Sequence, residues 1–258
     1  MNTSTFNLRQ AILDIDFAAQ LRELRRSGNL NSVLPELAAM ESNSKRHKDN
    51  VEHSIQVMEN AKELSEDPKD AVLFAAALFH DVGKPKTLSF ENGKATFRNH
   101  ELVGAKMARN FLRKYGFSKE EGRQITILIR EHMRGHTFKE GWSDSAIRRL
   151  ATEAGSVRQI ERLGIIFASD ATTKNAAKRQ QFRVNAFELR DAMLAILKED
   201  ELKARRPAIN GNQVMEMIGI GPGRELGAIM KFLNSEEGLA LSEEEAIAFV
   251  FEQARNSF

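Results

Sequence analysis

Six side chains in this sequence have the types that metal and proton chemistry needs: His53, His80, Asp81, His100, His132 and Asp170. Each falls on or beside an apolar helical stripe. His80 and Asp81 close a continuous apolar run from Ala71 to Phe79, and Gly83 and Pro85 then supply a helix stop. The run is far shorter than the roughly 20 residues a bilayer requires, so it reads as a buried helix with an imidazole and a carboxylate in its last turn. Such groups are costly to bury unless a partner satisfies them, and a metal ion satisfies both. His53 lies beside the stripe Val51, Ile55, Met58 and Ala61. His100 shares a face with Val103, Met107 and Phe111. His132 continues Ile125, Leu128 and Ile129, and Asp170 follows Ile160, Leu163 and Phe167. A single histidine on an apolar face is usually a hydrogen-bonded core residue. Several buried imidazoles and two carboxylates are satisfied together by a shared cation.

Composition narrows the choice of ion. The chain has no cysteine, so disulfides and thiolate sites are excluded and any metal is held by histidine and carboxylate. Its 258 residues, 41% of them hydrophobic, suffice for one large domain with a small appendage. A net charge of +2 does not describe a dedicated nucleic-acid binder, although it leaves room for a local basic patch. Met1 to Thr5 lacks the basic and apolar regions of a signal peptide, so a cytoplasmic protein is expected.

The elements that must position these side chains are almost all helical. Short helices are expected over 6–42, including the face Phe17, Leu21 and Leu24. Asp49 or Asn50 caps a helix to about Leu64, and Pro68 or Lys69 opens the apolar helix. Thr87 to Phe97, with Asn92-Gly93 at its centre, reads as a β-hairpin. Helices follow over Asn99–Tyr115 and from Ser118, the start of a capping box, to Met133. Asp144 or Ser145 caps a short helix, Ser156 caps the next, and a further helix runs from about Gln181 to Leu197. Ala204-Arg205-Arg206-Pro207 reads as a linker. Beyond it, Gly219-Ile220-Gly221-Pro222-Gly223 is a turn between helices that superficially resembles a phosphate-binding helix-hairpin-helix turn, and a last helix starts at Ser242.

The same residues carry a family resemblance. His53, His80-Asp81 and Asp170 match the H…HD…D signature of the HD-domain metal-dependent phosphohydrolases, and His100 and His132 match the extra histidines of its two-metal members. More narrowly, His47 to His53, His80 to Pro85, Asn99 to Ala105 and Ile129 to Arg134 resemble the HD region of bacterial tRNA nucleotidyltransferases. The Leu34–Leu37 stretch and the 210–227 stretch resemble flanking segments of those enzymes. The similarity covers about residues 20 to 250. Nothing matches the Gly-Ser and paired-Asp motif of their nucleotidyltransferase head, and no stretch before His47 is long enough to hold it, so nucleotide addition is not expected. The resemblance implies an all-α HD-domain helical bundle with one small hairpin near 87–97 and a C-terminal helical tail. The division reads as an N-terminal segment 1–44, an HD domain 45–203 and a tail 204–258 packed on it.

The implied reaction is hydrolysis of a phosphate ester of a nucleotide or RNA end, of the 2′,3′-cyclic phosphodiesterase or phosphatase type, by a metal-activated water. His53, His80, Asp81 and Asp170 would hold one divalent ion. Asp81 would bridge to a second, completed by His100 and His132; Mg, Mn, Ni, Co, Fe and Zn are not distinguished. Lys84, Arg130 and Arg134 are candidates to touch the phosphate. His47, Asp49 and Lys174 are weaker candidates for substrate contact, with Arg179 beside them. His136, in a polar loop after Gly135, reads as outside the ligand set. Two alternatives stand. One is a non-catalytic RNA-binding module that contacts RNA through the tail. The other is a different HD activity, such as a nucleotide triphosphohydrolase or cyclic-dinucleotide phosphodiesterase. No membrane partner is expected, and the state is monomer or homodimer.

Overall fold

The computed structural model describes residues 6–41, 49–138, 142–204 and 206–257. They are helical apart from one two-stranded antiparallel hairpin. Two compact units result, the first reaching Leu194 and the second starting at Ala195. Among the described residues no helix is long and apolar enough to cross a membrane.

The first unit contains α1 (Phe17–Arg26), α2 (Asn50–Leu64), α3 (Ala71–Phe79), the strands β1 (Ser89–Glu91) and β2 (Lys94–Thr96), α4 (His100–Phe111), α5 (Lys119–Glu131), α6 (Asp144–Ala154) and α7 (Val157–Ser169). Helix α8 runs from Ala176 to Ala204, longer at both ends than its apolar pattern suggests. The centre of the unit is α3. All nine of its residues are buried, against α2, α5 and α7. A helix apolar on every face can be stable only when surrounded in this way. Burying one such Leu or Phe side chain contributes roughly 1.5–3 kcal/mol.

Side-chain caps set where these helices start. Asp49 Oδ1 accepts from the Glu52 N–H at 3.0 Å, and Ser118 with Glu121 forms the expected capping box. Two starts differ from the pattern. The cap of α3 is Asp70, not Pro68 or Lys69, and its Oδ1 accepts from the Leu73 N–H at 3.0 Å. The cap of α6 is Ser143, one residue ahead of Asp144. A side-chain acceptor in front of the first free N–H groups decides the start, at about 1 kcal/mol each.

The hairpin pairs Ser89 with Thr96, Phe90 with Ala95 and Glu91 with Lys94. Asn92 and Gly93 both take positive φ, 52° and 74°, as the tight two-residue turn requires.

The second unit contains the end of α8, then α9 (Gly211–Ile218), α10 (Arg224–Leu233) and α11 (Glu243–Ser257). It closes its own core around Ile209, Val214, Ile229, Leu233, Ala246 and Val250. Gly219, left-handed at φ 69°, ends α9.

Candidate metal centre

Three helices end and one begins at the same place. His80, His132 and Asp170 are the C-terminal caps of α3, α5 and α7, and His100 is the first residue of α4. His53 comes from within α2. Helix C-termini carry partial negative charge, so three of them here favour a cation. Asn60 of α2 donates to the Ser169 carbonyl at 2.8 Å and so fixes the end of α7 just ahead of Asp170.

The backbone also fixes the ring orientations. His80 Nδ1 lies 2.8 Å from the Ala77 carbonyl oxygen, His100 Nδ1 2.8 Å from that of Phe97, and His132 Nδ1 2.7 Å from that of Ile129. A carbonyl can only accept, so each Nδ1 carries a proton and each Nε2 is turned inward, where the neutral ring offers a lone pair to a cation. In each case the acceptor is three residues earlier in the chain.

The inward Nε2 atoms, with that of His53, meet around two carboxylates. His53 Nε2 is 2.9 Å from Asp170 Oδ1 and 3.5 Å from Asp81 Oδ2. His80 Nε2 is 3.2 Å from Asp81 Oδ2 and 3.7 Å from Asp170 Oδ1. His100 Nε2 is 3.1 Å from Asp81 Oδ1, and His132 Nε2 is 3.9 Å from the same oxygen. Two ligand sets therefore have all their donor atoms within 4.8 Å of one another: His53, His80 and Asp170, and His80, Asp81 and His132. Buried His80 Nε2 makes no hydrogen bond of acceptable geometry, although a carboxylate oxygen is close. The Nε2 atoms of His100 and His132 face each other at 3.2 Å. Two lone pairs at that separation repel unless a proton or cation lies between them. The donor set fits a hard or borderline divalent ion held by imidazole and carboxylate.

The electrostatics agree. Burial alone would raise the Asp81 carboxyl, but His80, His100 and Lys84 outweigh it and hold it well below the usual carboxylate range. Burial is likewise overcome at Asp170, by His80, His136 and His53. Burial, reinforced by the neighbouring His80, pushes His132 down to about 3. Burial also dominates at His53, which is lowered. At His80 the two carboxylates overcome burial and raise the imidazole. The cluster as a whole is built to hold positive charge at its centre.

Close backbone packing seats Asp81 against His100. A methyl group at Gly83 would fall 2.0 Å from the His100 carbonyl oxygen and 2.7 Å from the Gly104 nitrogen. Only a bare Cα allows the turn after Asp81 to meet the start of α4.

The centre opens into a cleft of about 870 Å³. His53, Asp81, His100 and Asp170 lie at its base, and Lys84, Phe97, Arg98, Glu101 and His136 along its walls. Lys84 Nζ contacts Asp81 Oδ2 and lies 5.7 Å from the centre of the Phe97 ring.

The structure thus gathers all six expected ligand residues and Lys84. It does not bring the other candidates to the cleft. Arg130 Nε donates to Glu131 Oε1, and Arg134 lies over the Trp142 ring at 5.3 Å. The reason is angular: residues two apart on a helix differ by about 200°, so Arg130 points away from the side on which His132 faces the cluster. Asp49 is occupied as a cap and by Arg25, at 2.7 Å. Lys174 is exposed and does not line the cleft. Arg179 donates to the Thr173 carbonyl. His47 lies outside the described residues. One residue was missed: His136 Nε2 lies 2.6 Å from Asp170 Oδ2. The polar loop around it gave no apolar stripe to mark it. Thr172, whose Oγ1 lies 3.2 Å from His53 Nδ1, had no sequence signal either.

Comparison with known proteins agrees with this geometry. Residues 50–175 match the family model described as the HD domain. The chain is 32% identical over 251 residues to the CC-adding tRNA nucleotidyltransferase of Thermus thermophilus, covering 94% of this chain and 54% of that protein. It is 26% identical over 244 residues to the A-adding tRNA nucleotidyltransferase of Deinococcus radiodurans, covering 91% and 54%. A bifunctional uridylyltransferase/uridylyl-removing enzyme of Cereibacter sphaeroides is 24% identical over 166 residues, 57% of this chain and 17% of that protein. The chain spans about half the length of the two tRNA nucleotidyltransferases.

Proposed function

Because the chain carries an HD domain and is related along most of its length to the tRNA nucleotidyltransferases, we propose that it is a metal-dependent phosphohydrolase. Its substrates are phosphate esters of nucleotides or RNA ends. The observation that supports this reading is the convergence of the Nε2 atoms of His53, His80, His100 and His132 on Asp81 and Asp170 in the interior, three of the rings turned inward by a backbone carbonyl.

His53, His80, Asp81 and Asp170 would hold a first divalent ion, and Asp81, His100 and His132 a second. Bound ions would lower the pKa of a water and neutralise charge on the phosphoryl oxygens. The residues do the rest. The Ala77, Phe97 and Ile129 carbonyls keep three imidazoles in the tautomer that can ligate. His136 holds Asp170 so that its Oδ1 stays directed at His53 and His80. Lys84 brings a positive charge from the cleft wall to the phosphoryl group. The open side of the cleft admits substrate and water.

A second reading is a non-catalytic RNA-binding module, favoured by likeness over 94% of the chain to a tRNA nucleotidyltransferase. One experiment separates the two. Bound metal is measured, and 2′,3′-cyclic AMP, 3′-AMP, 5′-AMP and a chromogenic phosphodiester are offered to the wild type and to His80→Ala. Metal-dependent turnover that falls by roughly a thousandfold or more in the variant supports the hydrolase. Failure of the metal-loaded wild type to turn over any of the four, with RNA still bound, selects the binding module.

A further inference from the structure

Helix α4 has a second charged face, on the side away from its buried imidazole. Arg109 follows His100 by nine residues, which places it about 180° round the helix. His100 is buried and Arg109 is exposed. Lys106, about one turn earlier, and Arg113, in the 3₁₀ turn Leu112–Tyr115 that continues α4, are exposed as well and extend the row.

Where this row meets the start of α5, a groove of about 700 Å³ opens. Arg109 and Arg113 line it from one element, and Lys119 and Arg123, about one turn apart, line it from α5. Glu120 is the one acidic residue among those that line it, so four cations meet a single carboxylate. That carboxylate pairs with Arg123 at 2.7 Å, with both side chains exposed, an arrangement that contributes little and exchanges readily. Among the described residues, Arg109, Arg113 and Lys119 have no acidic partner. Leu112 is buried beneath them, and a methyl group at Gly122 would meet nothing within 4 Å, so the groove is open above α5. Cations gathered in one concavity repel each other and attract a polyanion.

The lining narrows the kind of polyanion. None of these residues is aromatic, so the groove has no platform on which an unpaired base could stack. Three of its four cations are arginines, whose planar guanidinium matches phosphate in a bidentate way. Double-stranded RNA hides its bases and turns phosphates and 2′-hydroxyls outward. We infer that the groove between α4 and α5 docks the backbone of double-stranded RNA, on the face of α4 opposite the ion-binding centre. The choice of RNA among phosphate polymers rests on the RNA-end substrates proposed for the cleft. The docking itself needs none of the residues that hold the ions.

The test uses the Mn²⁺-loaded full chain, titrated at several salt concentrations with a fluorescent hairpin RNA of about 16 base pairs. Mn²⁺ affinity, thermal unfolding and turnover of 2′,3′-cyclic AMP are measured in parallel. The double substitution Arg109→Ala with Arg113→Ala removes two phosphate contacts. It is expected to weaken RNA binding roughly tenfold or more and to flatten the slope of log affinity against log salt by about two. Lys119→Ala with Arg123→Ala is expected to do the same from the other helix, and both variants keep the Mn²⁺ affinity and the unfolding midpoint of the wild type. His80→Ala keeps the RNA affinity. No binding of the hairpin, an affinity unchanged in both double variants, tighter binding of unpaired oligouridine, or equal binding of a DNA duplex of the same sequence overturns the inference. If the wild type turns over no cyclic nucleotide while the double variants still lose RNA, the hydrolase falls and the docking groove stands.

Discussion

Helix α3 carries a buried polar cluster at each end, and the two are built on opposite plans. At its N-terminus Asp70 caps the helix and accepts from Arg162 Nε at 2.8 Å. Arg162 Nη1 donates to the side-chain oxygens of both Gln124 and Gln159 at 2.8 Å, and Gln159 donates to the Gln124 carbonyl at 3.1 Å. Donors there meet acceptors. At its C-terminus four imidazole Nε2 atoms crowd two carboxylates, and His80 Nε2, 3.2 Å from Asp81, closes no hydrogen bond of acceptable geometry. Asp70, Arg162, His80 and Asp81 are about equally buried, so burial alone does not separate a structural cluster from a functional one. Whether the hydrogen-bond inventory closes does separate them.

The sharpest way to break this contrast is to remove one member from each end. Arg162→Ala leaves buried Asp70 with only Arg158, at 3.5 Å, as a charge partner and is expected to lower the stability of chelator-treated protein by up to ~3–5 kcal/mol. His80→Ala relieves a crowded nitrogen but also removes positive charge from beside Asp81 and Asp170, and is expected to cost less than the Arg162 substitution in the same urea titration. Equal losses would mean that the C-terminal cluster is a structural network after all.

Added metal sharpens the contrast from the other side. A divalent ion at one hundred times its dissociation constant is expected to stabilise the wild type by ~2.7 kcal/mol. Arg162→Ala, if it retains its fold, gains the same amount, and His80→Ala gains none. Thermal unfolding with and without Mn²⁺ reads this directly. A gain that persists in His80→Ala would place the ion elsewhere.

Per unit of the variable changed, the smallest expected effect is the response to acid. His132 is held near 3 by burial against an ordinary value of 6.5. Below pH 6.5 the unfolded chain therefore binds a proton that the folded chain refuses. Stability from this group is present above 6.5 and is lost as pH falls toward 3, by at most ~1.4 kcal/mol per pH unit. His80, raised by its carboxylates, acts with the opposite sign, its contribution being lost as pH rises through its raised value. His132→Asn is expected to flatten the acid slope of metal-free protein. Identical slopes in the two proteins would show that His132 is not held neutral.

Much of this was legible in the chain. Apolar stripes marked His53, His80, Asp81, His100, His132 and Asp170, because helical periodicity relates a residue to a face without any knowledge of its neighbours. Asn92-Gly93 marked the hairpin. What periodicity cannot supply is contact between distant segments. Asp70 and Arg162 are 92 residues apart, and His136 reaches Asp170 across 34. Arg130 and Arg134 show the converse: both flank His132 in sequence, but Arg130 turns to Glu131 and Arg134, beyond the end of α5, lies over Trp142.

One feature of the centre bears on which ions it can choose. Gly83 and the start of α4 touch through main-chain atoms, with no side chain between them. The separation between the His80-Asp81 turn and His100 is thus set by a contact that cannot be trimmed or padded. Substituting ligands could change the charge or softness of the nest, but its width is inherited from two backbones pressed together. For any ion the centre would hold, the spacing of these two segments is in that sense fixed before a donor atom is chosen.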